Sequence, residues 1–288
     1  MNLTDVHEIR QLLDRTGFRF SKAMGQNFLR AAWVPRRIAE EAGLDGDTGV
    51  LEIGPGVGCL TVELSRRAKR VLSVELDRGL QPVLAESLKG CENVTVQFAD
   101  VLRLDLPALV REHLADCKKA VVCANLPYNI TSPALAALAE AGCFSQLTVM
   151  IQREVAKRIC APAGCGEYGA FTVLMQWHCC PEILFDVPPD CFIPAPKVTS
   201  SVVRMSCRTA PPAAVQNERA MFALVRAAFN QRRKTLCNAM VHGLGLDRDT
   251  ALAALERCGL DARIRGEALS IAEFAALSDA VEAVSSGG

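Results

Sequence analysis

From about residue 48 to residue 160 one pattern repeats: a short apolar run, then a stretch with the three- to four-residue spacing of an amphipathic helix. Strands that are apolar on both faces and separated by helices are best accommodated in a parallel sheet covered on both sides. The candidate strands are Val50 to Ile53, Val71 to Glu75, Val94 to Phe98, Ala120 to Ala124 and Leu147 to Ile151. Two further extended runs, Glu182 to Val187 and Ser200 to Met205, are joined by a proline-rich loop without a helix, which predicts an antiparallel pair at the sheet edge. The fold class is therefore α/β.

After the last of these runs the pattern changes. Residues 208–217 contain Ala210-Pro211-Pro212-Ala213-Ala214 and lack periodicity, as a linker does. Beyond them only helical spacing remains. Phe222, Val225 and Phe229 share one helix face, a second helix is expected to start near Asp249, and Ser270-Ile271-Ala272-Glu273 has the form of a capping box. Two domains are expected, residues 1–207 and a small all-helical one over residues 208–288, a division that suits the length of the chain.

Basic and acidic residues balance at 32 each, so any contact with a phosphate backbone must come from a local patch, since salt screens each charge within about 10 Å. The densest patch is Arg226, Arg232, Arg233 and Lys234, which suits either phosphate contact or a solvated helix face. Thirteen cysteines, without any Cys-x-x-Cys spacing and mostly inside apolar runs, read as free thiols of a reducing compartment. No metal is expected. The segment Met1 to Arg10 is charged, and no run approaches the ~18 apolar residues of a membrane span, so a soluble, cytoplasmic protein is expected; a monomer is expected as well.

The first strand runs into Gly54-Pro55-Gly56-Val57-Gly58, followed by a helix over Leu60 to Arg67. Glycines let the backbone turn sharply and approach a ligand. The spacing lacks the last glycine of the dinucleotide fingerprint Gly-x-Gly-x-x-Gly, because Cys59 stands there and Leu60 follows, and this favours S-adenosylmethionine over NAD. Glu75 ends the second strand about twenty residues later, where a carboxylate can accept both ribose hydroxyls. Asp100 follows the third strand and suits an adenine amino group. Each acid alone is an ordinary strand terminus; together they fall at the carboxyl ends of successive parallel strands, where open α/β sheets bind ligands. Upstream, Gly25-Gln26-Asn27-Phe28-Leu29 suits either a lid over the methionine end of that cofactor or a helix cap at Asn27.

The fourth strand is followed directly by Asn125-Leu126-Pro127-Tyr128. An aromatic amine is a poor nucleophile because its lone pair is delocalised into the ring. The Asn125 side-chain oxygen and the Leu126 carbonyl can accept its two hydrogens and favour a tetrahedral nitrogen. Tyr128 adds a flat surface for a base taken out of its stack. The same four residues also suit a plain strand-end turn.

With these motifs in place the chain resembles one family, the small-subunit ribosomal RNA adenine dimethyltransferases. The resemblance rests on Gly25 to Leu29, Leu51 to Gly58, Asn125 to Ile130, Phe192-Ile193-Pro194-Ala195-Pro196-Lys197-Val198, Phe229 to Leu236 and Arg265 to Ser270, and spans nearly the whole chain. It implies a Rossmann-like, seven-stranded S-adenosylmethionine-dependent methyltransferase domain with a helical C-terminal domain that contacts RNA. It also implies that two adjacent adenines in the 3′-terminal stem-loop of 16S RNA, within the immature small ribosomal subunit, each receive two methyl groups. By position, cofactor contacts fall on Asn27, Leu29, Gly54, Glu75, Asp100 and Asn125. The base pocket falls on Asn125, Leu126, Tyr128 and Phe192, with Phe192 and Tyr128 sandwiching the adenine. The motifs contain no histidine or cysteine, so transfer without a covalent enzyme intermediate is expected. Three other readings are a large-subunit RNA adenine methyltransferase, which shares the fold and the tetrapeptide, a DNA adenine methyltransferase, which the small second domain disfavours, and a ribosome assembly factor for which methylation is incidental.

Overall fold

Each apolar run between residues 48 and 152 forms a strand of one sheet. The computed structural model describes residues 1–19 and 27–286, so Gly25, Gln26 and Lys22 lie outside the described residues. The strands are β1 (Phe28–Leu29), β2 (Thr48–Ile53), β3 (Arg70–Glu75), β4 (Val94–Phe98), β5 (Lys119–Asn125), β6 (Gln146–Gln152), β7 (Cys179–Val187), β8 (Phe192–Ile193) and β9 (Ser200–Cys207). Helices α1 (Val6–Thr16), α2 (Trp33–Glu41), α3 (Cys59–Ser65), α4 (Gln81–Ser87), α5 (Leu106–His113) and α6 (Thr131–Glu140) accompany the first six strands. Then come α7 (Arg153–Ile159), α8 (Ala170–His178), α9 (Glu218–Asn230), α10 (Leu236–Leu244), α11 (Arg248–Arg257) and α12 (Ile271–Ser286).

Seven strands form one sheet in the order β4-β3-β2-β5-β6-β9-β7. The first five of these pair in parallel, while β9 runs antiparallel to both β6 and β7, as the helix-free loop before it requires. From β2 the chain steps outward through β3 and β4, then returns to the other side of β2 for β5 and β6. That reversal between β2 and β5 is the switch point at which open α/β sheets leave a crevice beyond the carboxyl ends of their strands. Central strands β2, β5 and β6 are buried along nearly their whole length because helices cover both faces. A separate two-stranded ladder pairs Phe28 with Ile193 and Leu29 with Phe192.

The chain divides into two units, one of residues 1–156 and 179–207, the other of residues 157–178 and 208 onward. A cut after residue 207 therefore differs from this division on one segment. Residues 157–178 belong with the C-terminal helices because Tyr168 and Trp177 are buried in the same core as Met221, Leu224 and Phe274. Tyr168 meets Phe229 edge-on at 5.7 Å, and Trp177 meets Phe222 at 5.9 Å. The linker residues 208–217 have no regular structure, and Ala213 and Val215 pack against this core.

The capping box forms as expected: the Ser270 amide donates to Glu273 Oε2 at 2.7 Å, and the Glu273 amide donates to Ser270 Oγ at 3.2 Å. Helix α10, which no sequence pattern singled out, begins at Thr235, whose Oγ1 accepts from the Asn238 amide at 3.4 Å. Its Gly243 lies so close to α9 that a Cβ there would sit 2.5 Å from that of Ala227. None of the thirteen cysteines, all within the described residues, is in a disulfide.

Candidate active site

The glycine turn after β2 takes positive φ at Gly54, Gly56 and Gly58. At Gly58, which caps α3, a Cβ would also meet Leu88 at 2.9 Å, so this position needs glycine both for its φ of 90° and for space. The turn lines a cavity at the switch point of the sheet. Asn27, Leu29, Gly54, Glu75, Asp100, Asn125, Leu126 and Tyr128 all line it, so eight of the nine predicted cofactor and base residues are brought together.

Glu75 ends β3 and is 7 % exposed; burial raises its carboxyl above the usual range, opposed by the Asp77 amide, which donates to Oε1 at 2.9 Å. Asp100 is half-exposed. Its Oδ1 accepts from the Leu102 amide at 3.1 Å and its Oδ2 faces Arg103 at 3.4 Å, which leaves acceptor capacity toward the cavity. Leu29 is held in the wall by the β1–β8 ladder.

Beyond β5, the Leu126 amide donates to the Met150 carbonyl at 3.1 Å, tying the tetrapeptide to β6. Two oxygens of the segment remain open. Among the described residues no donor reaches the Asn125 side-chain oxygen or the Leu126 carbonyl, while the Pro127 carbonyl accepts from the Ile130 amide and from Thr131 Oγ1. The strand ends at Asn125, and Pro127, two residues on, has no backbone N–H to continue the ladder. The Tyr128 ring is fixed at its far end by a 2.7 Å hydrogen bond between its hydroxyl and Ser200 Oγ, the first residue of β9. Burial raises the phenol above its ordinary range and this bond opposes the rise.

Phe192 departs from the expected sandwich. Its ring is 2 % exposed and lies in the core with Leu29, Val34, Val187 and Val202, so in this structure it presents no face to a base. The strand pairing with Leu29 holds it there. The residues that line or support the cavity but were not identified from the sequence include two with buried polar side chains. Ser200 is one. The other is Glu52, 1 % exposed on β2 and lining the cavity, whose Oε2 accepts from Thr61 Oγ1 at 2.7 Å and Ser73 Oγ at 2.6 Å. Burial pushes its carboxyl up to about 7. A carboxylate inside an otherwise apolar run, two residues before a glycine turn, was the signal for Glu52; Ser200 had none.

In the helical unit, Arg226, Arg233 and Lys234 are exposed and make no ion pair among the described residues. Arg232 differs from its neighbours. Its guanidinium donates to the carbonyls of Gly166 at 2.8 Å and Tyr168 at 3.2 Å and faces Glu267 at 3.3 Å, so it braces the loop before α8.

The family model described as ribosomal RNA adenine dimethylase matches residues 17–282. A protein named ribosomal RNA small subunit methyltransferase A from Geobacillus thermodenitrificans is 43 % identical over 276 residues, covering 94 % of each chain. Its counterpart from Clostridium perfringens is 44 % identical over 285 residues, 98 % of each chain. Among solved structures, a dimethyladenosine transferase from Plasmodium falciparum superposes with a TM-score of 0.71 at 25 % identity, covering 86 % of this chain and 95 % of that one. The 23S ribosomal RNA methyltransferase ErmE superposes with a TM-score of 0.67 at 29 % identity, covering 89 % and 100 %. Among the described residues no helix is long and apolar enough to cross a membrane.

Proposed function

This chain belongs to the family of ribosomal RNA adenine dimethylases, S-adenosylmethionine-dependent methyltransferases, and we propose that its substrate is the 16S RNA of the immature small ribosomal subunit, in the cytoplasm. On this reading two adjacent adenines of the 3′-terminal stem-loop each become N6,N6-dimethylated. The specific target draws support from curated relatives at 43 to 44 % identity that are named for the small subunit, against 29 % for the 23S enzyme.

The observation that carries the catalytic reading is the pair of open acceptors, Asn125 Oδ1 and the Leu126 carbonyl, at the cavity that Glu75 and Asp100 also line. The cavity suits S-adenosylmethionine in its donor set: Glu75 for the ribose hydroxyls, Asp100 for the adenine amino group, and the Gly54 turn with Asn27 and Leu29 around the methionine end. When bound, S-adenosylmethionine supplies a methyl group already attached to a good leaving group. The protein is then left with orientation and exclusion of water. Asn125 and Leu126 accept the two N6 hydrogens of the target adenine, draw the nitrogen toward tetrahedral geometry and release its lone pair. Tyr128, braced by Ser200, provides the stacking surface, worth about 1 to 3 kcal/mol. N6-methyladenine keeps one hydrogen, so the second transfer relies on one of the two acceptors.

Arg226, Arg233 and Lys234 contact phosphates, while Arg232 braces the loop before α8. Radiolabelled methyl transfer to unmethylated small and large subunits tests the assignment. Labelling of small subunits is expected; labelling of large subunits alone would overturn it.

A further inference from the structure

The helical spacing of α2 places Trp33, Arg36 and Arg37 on one exposed face. Trp33 is 43 % exposed, whereas the other tryptophan, Trp177, is 1 % exposed. Beside it on edge strand β7, the Phe185 ring lies 5.9 Å from Trp33, and the Arg37 guanidinium sits 4.1 Å from the centroid of Phe185. An exposed tryptophan backed by a phenylalanine and an arginine is a ready stacking surface. The charge around it is mainly positive. Arg30, Arg36 and Arg37 are exposed without an ion pair among the described residues, while the nearby acids other than Asp190, which lies beside Cys191, are engaged. Asp186 faces Arg153 at 3.3 Å, Glu40 faces Arg67 at 3.5 Å, and Glu41 and Glu182 both face Arg204.

The sheet sets the distance of this patch from the proposed site. Phe185 pairs with Val202, Val202 with Met150, and Met150 with Asn125. Phe185 therefore stands at the level of Asn125, three strand spacings away, or about 14 Å. A strand of RNA whose adenine reaches Asn125 can lay a neighbouring nucleotide on this patch.

Resting on the function argued above, we propose that Trp33, Phe185 and Arg37, with Arg30 and Arg36, form an RNA-holding platform beside the active site. An unpaired base flanking the methylated adenines stacks on Trp33, and the arginines hold adjacent phosphates. The occupant is RNA rather than protein because the surface combines an exposed aromatic face with three arginines outside any ion pair, against the single acid Asp190.

Two measurements test this. In Trp177→Phe, Trp33 is the sole tryptophan, and its emission is expected to fall saturably when an RNA hairpin carrying two adjacent loop adenines is added; unchanged emission at saturation overturns the proposal. Independently, Trp33→Ala and Arg36→Ala/Arg37→Ala are assayed on unmethylated small subunits. Each should raise KM about tenfold with kcat and S-adenosylmethionine affinity unchanged. The double arginine variant should flatten the log–log salt dependence of RNA binding by ~0.7 for each phosphate it no longer neutralises, and Trp33→Ala should leave that slope intact. Wild-type KM in both variants overturns the platform while leaving the methyltransferase assignment standing. Absence of transfer by the wild-type protein itself overturns the assignment. Variants that fail to bind subunits but bind the naked hairpin normally point to a protein partner and also overturn the proposal.

Discussion

Replacing Glu52 by Gln should make the fold more stable above neutral pH. The carboxyl is 1 % exposed and receives two hydroxyl donors on Oε2, and burial still outweighs them, lifting it from an ordinary 4.5 to about 7. A raised carboxyl means that the folded state holds a proton which the unfolded chain gives up. The stability associated with that proton is fully present below pH 4.5 and is lost as the pH rises through 7. Over that interval the loss amounts to about 3 kcal/mol. Gln is neutral throughout, nearly isosteric, and its Oε1 can still accept from Thr61 and Ser73. Wild type and variant should therefore melt within a few degrees of each other near pH 5 and separate to roughly 6 to 12 °C at pH 8.5, with the variant higher. Scanning calorimetry at a series of pH values measures the gap. A gap that does not change with pH refutes the titration of Glu52 in this range. The variant should also bind S-adenosylmethionine more weakly, since the wild-type carboxylate faces a cavity meant for a cation. A residue that lowers stability but aids binding has a reason to persist.

Gly58→Ala should lower stability by about 2 kcal/mol, because it combines a positive φ of 90° with a Cβ 2.9 Å from Leu88; it should also weaken S-adenosylmethionine binding by calorimetry, and a wild-type melting temperature would contradict the geometry. In the basic cluster the two neighbouring arginines should behave differently. Arg233→Ala should reduce the salt dependence of subunit binding with little effect on melting, whereas Arg232→Ala should cost about 1 kcal/mol of stability because its hydrogen bonds to the Gly166 and Tyr168 carbonyls disappear; equal effects on both readouts would remove the distinction.

The parallel sheet was legible because its strands are continuous apolar runs, which only a doubly covered sheet can bury. The acids Glu75 and Asp100 and the tetrapeptide were legible for a related reason: each directly follows such a run, so a strand-end position implied a place at the crevice. What escaped depended on long-range pairing. The β1–β8 ladder is two residues long on each side, too short to have a period, yet it buries Phe192 and so takes one expected aromatic away from the base. Helix α10 escaped because its close packing on α9 requires Gly243, a residue that weakens a helical pattern. The membership of residues 157–178 in the helical unit rests on Tyr168 and Trp177, whose partners lie more than forty residues further along the chain.

Asn125→Ala tests the central role given to the open acceptors. The Asn125 side chain has no hydrogen-bond partner among the described residues, so its removal should leave the melting temperature nearly unchanged while removing one preorganised acceptor from the target amine. Single-turnover methyl transfer to unmethylated small subunits, with S-adenosylmethionine at saturation, should fall by at least ~100-fold. A wild-type rate in that assay would contradict the role of Asn125 at the amine.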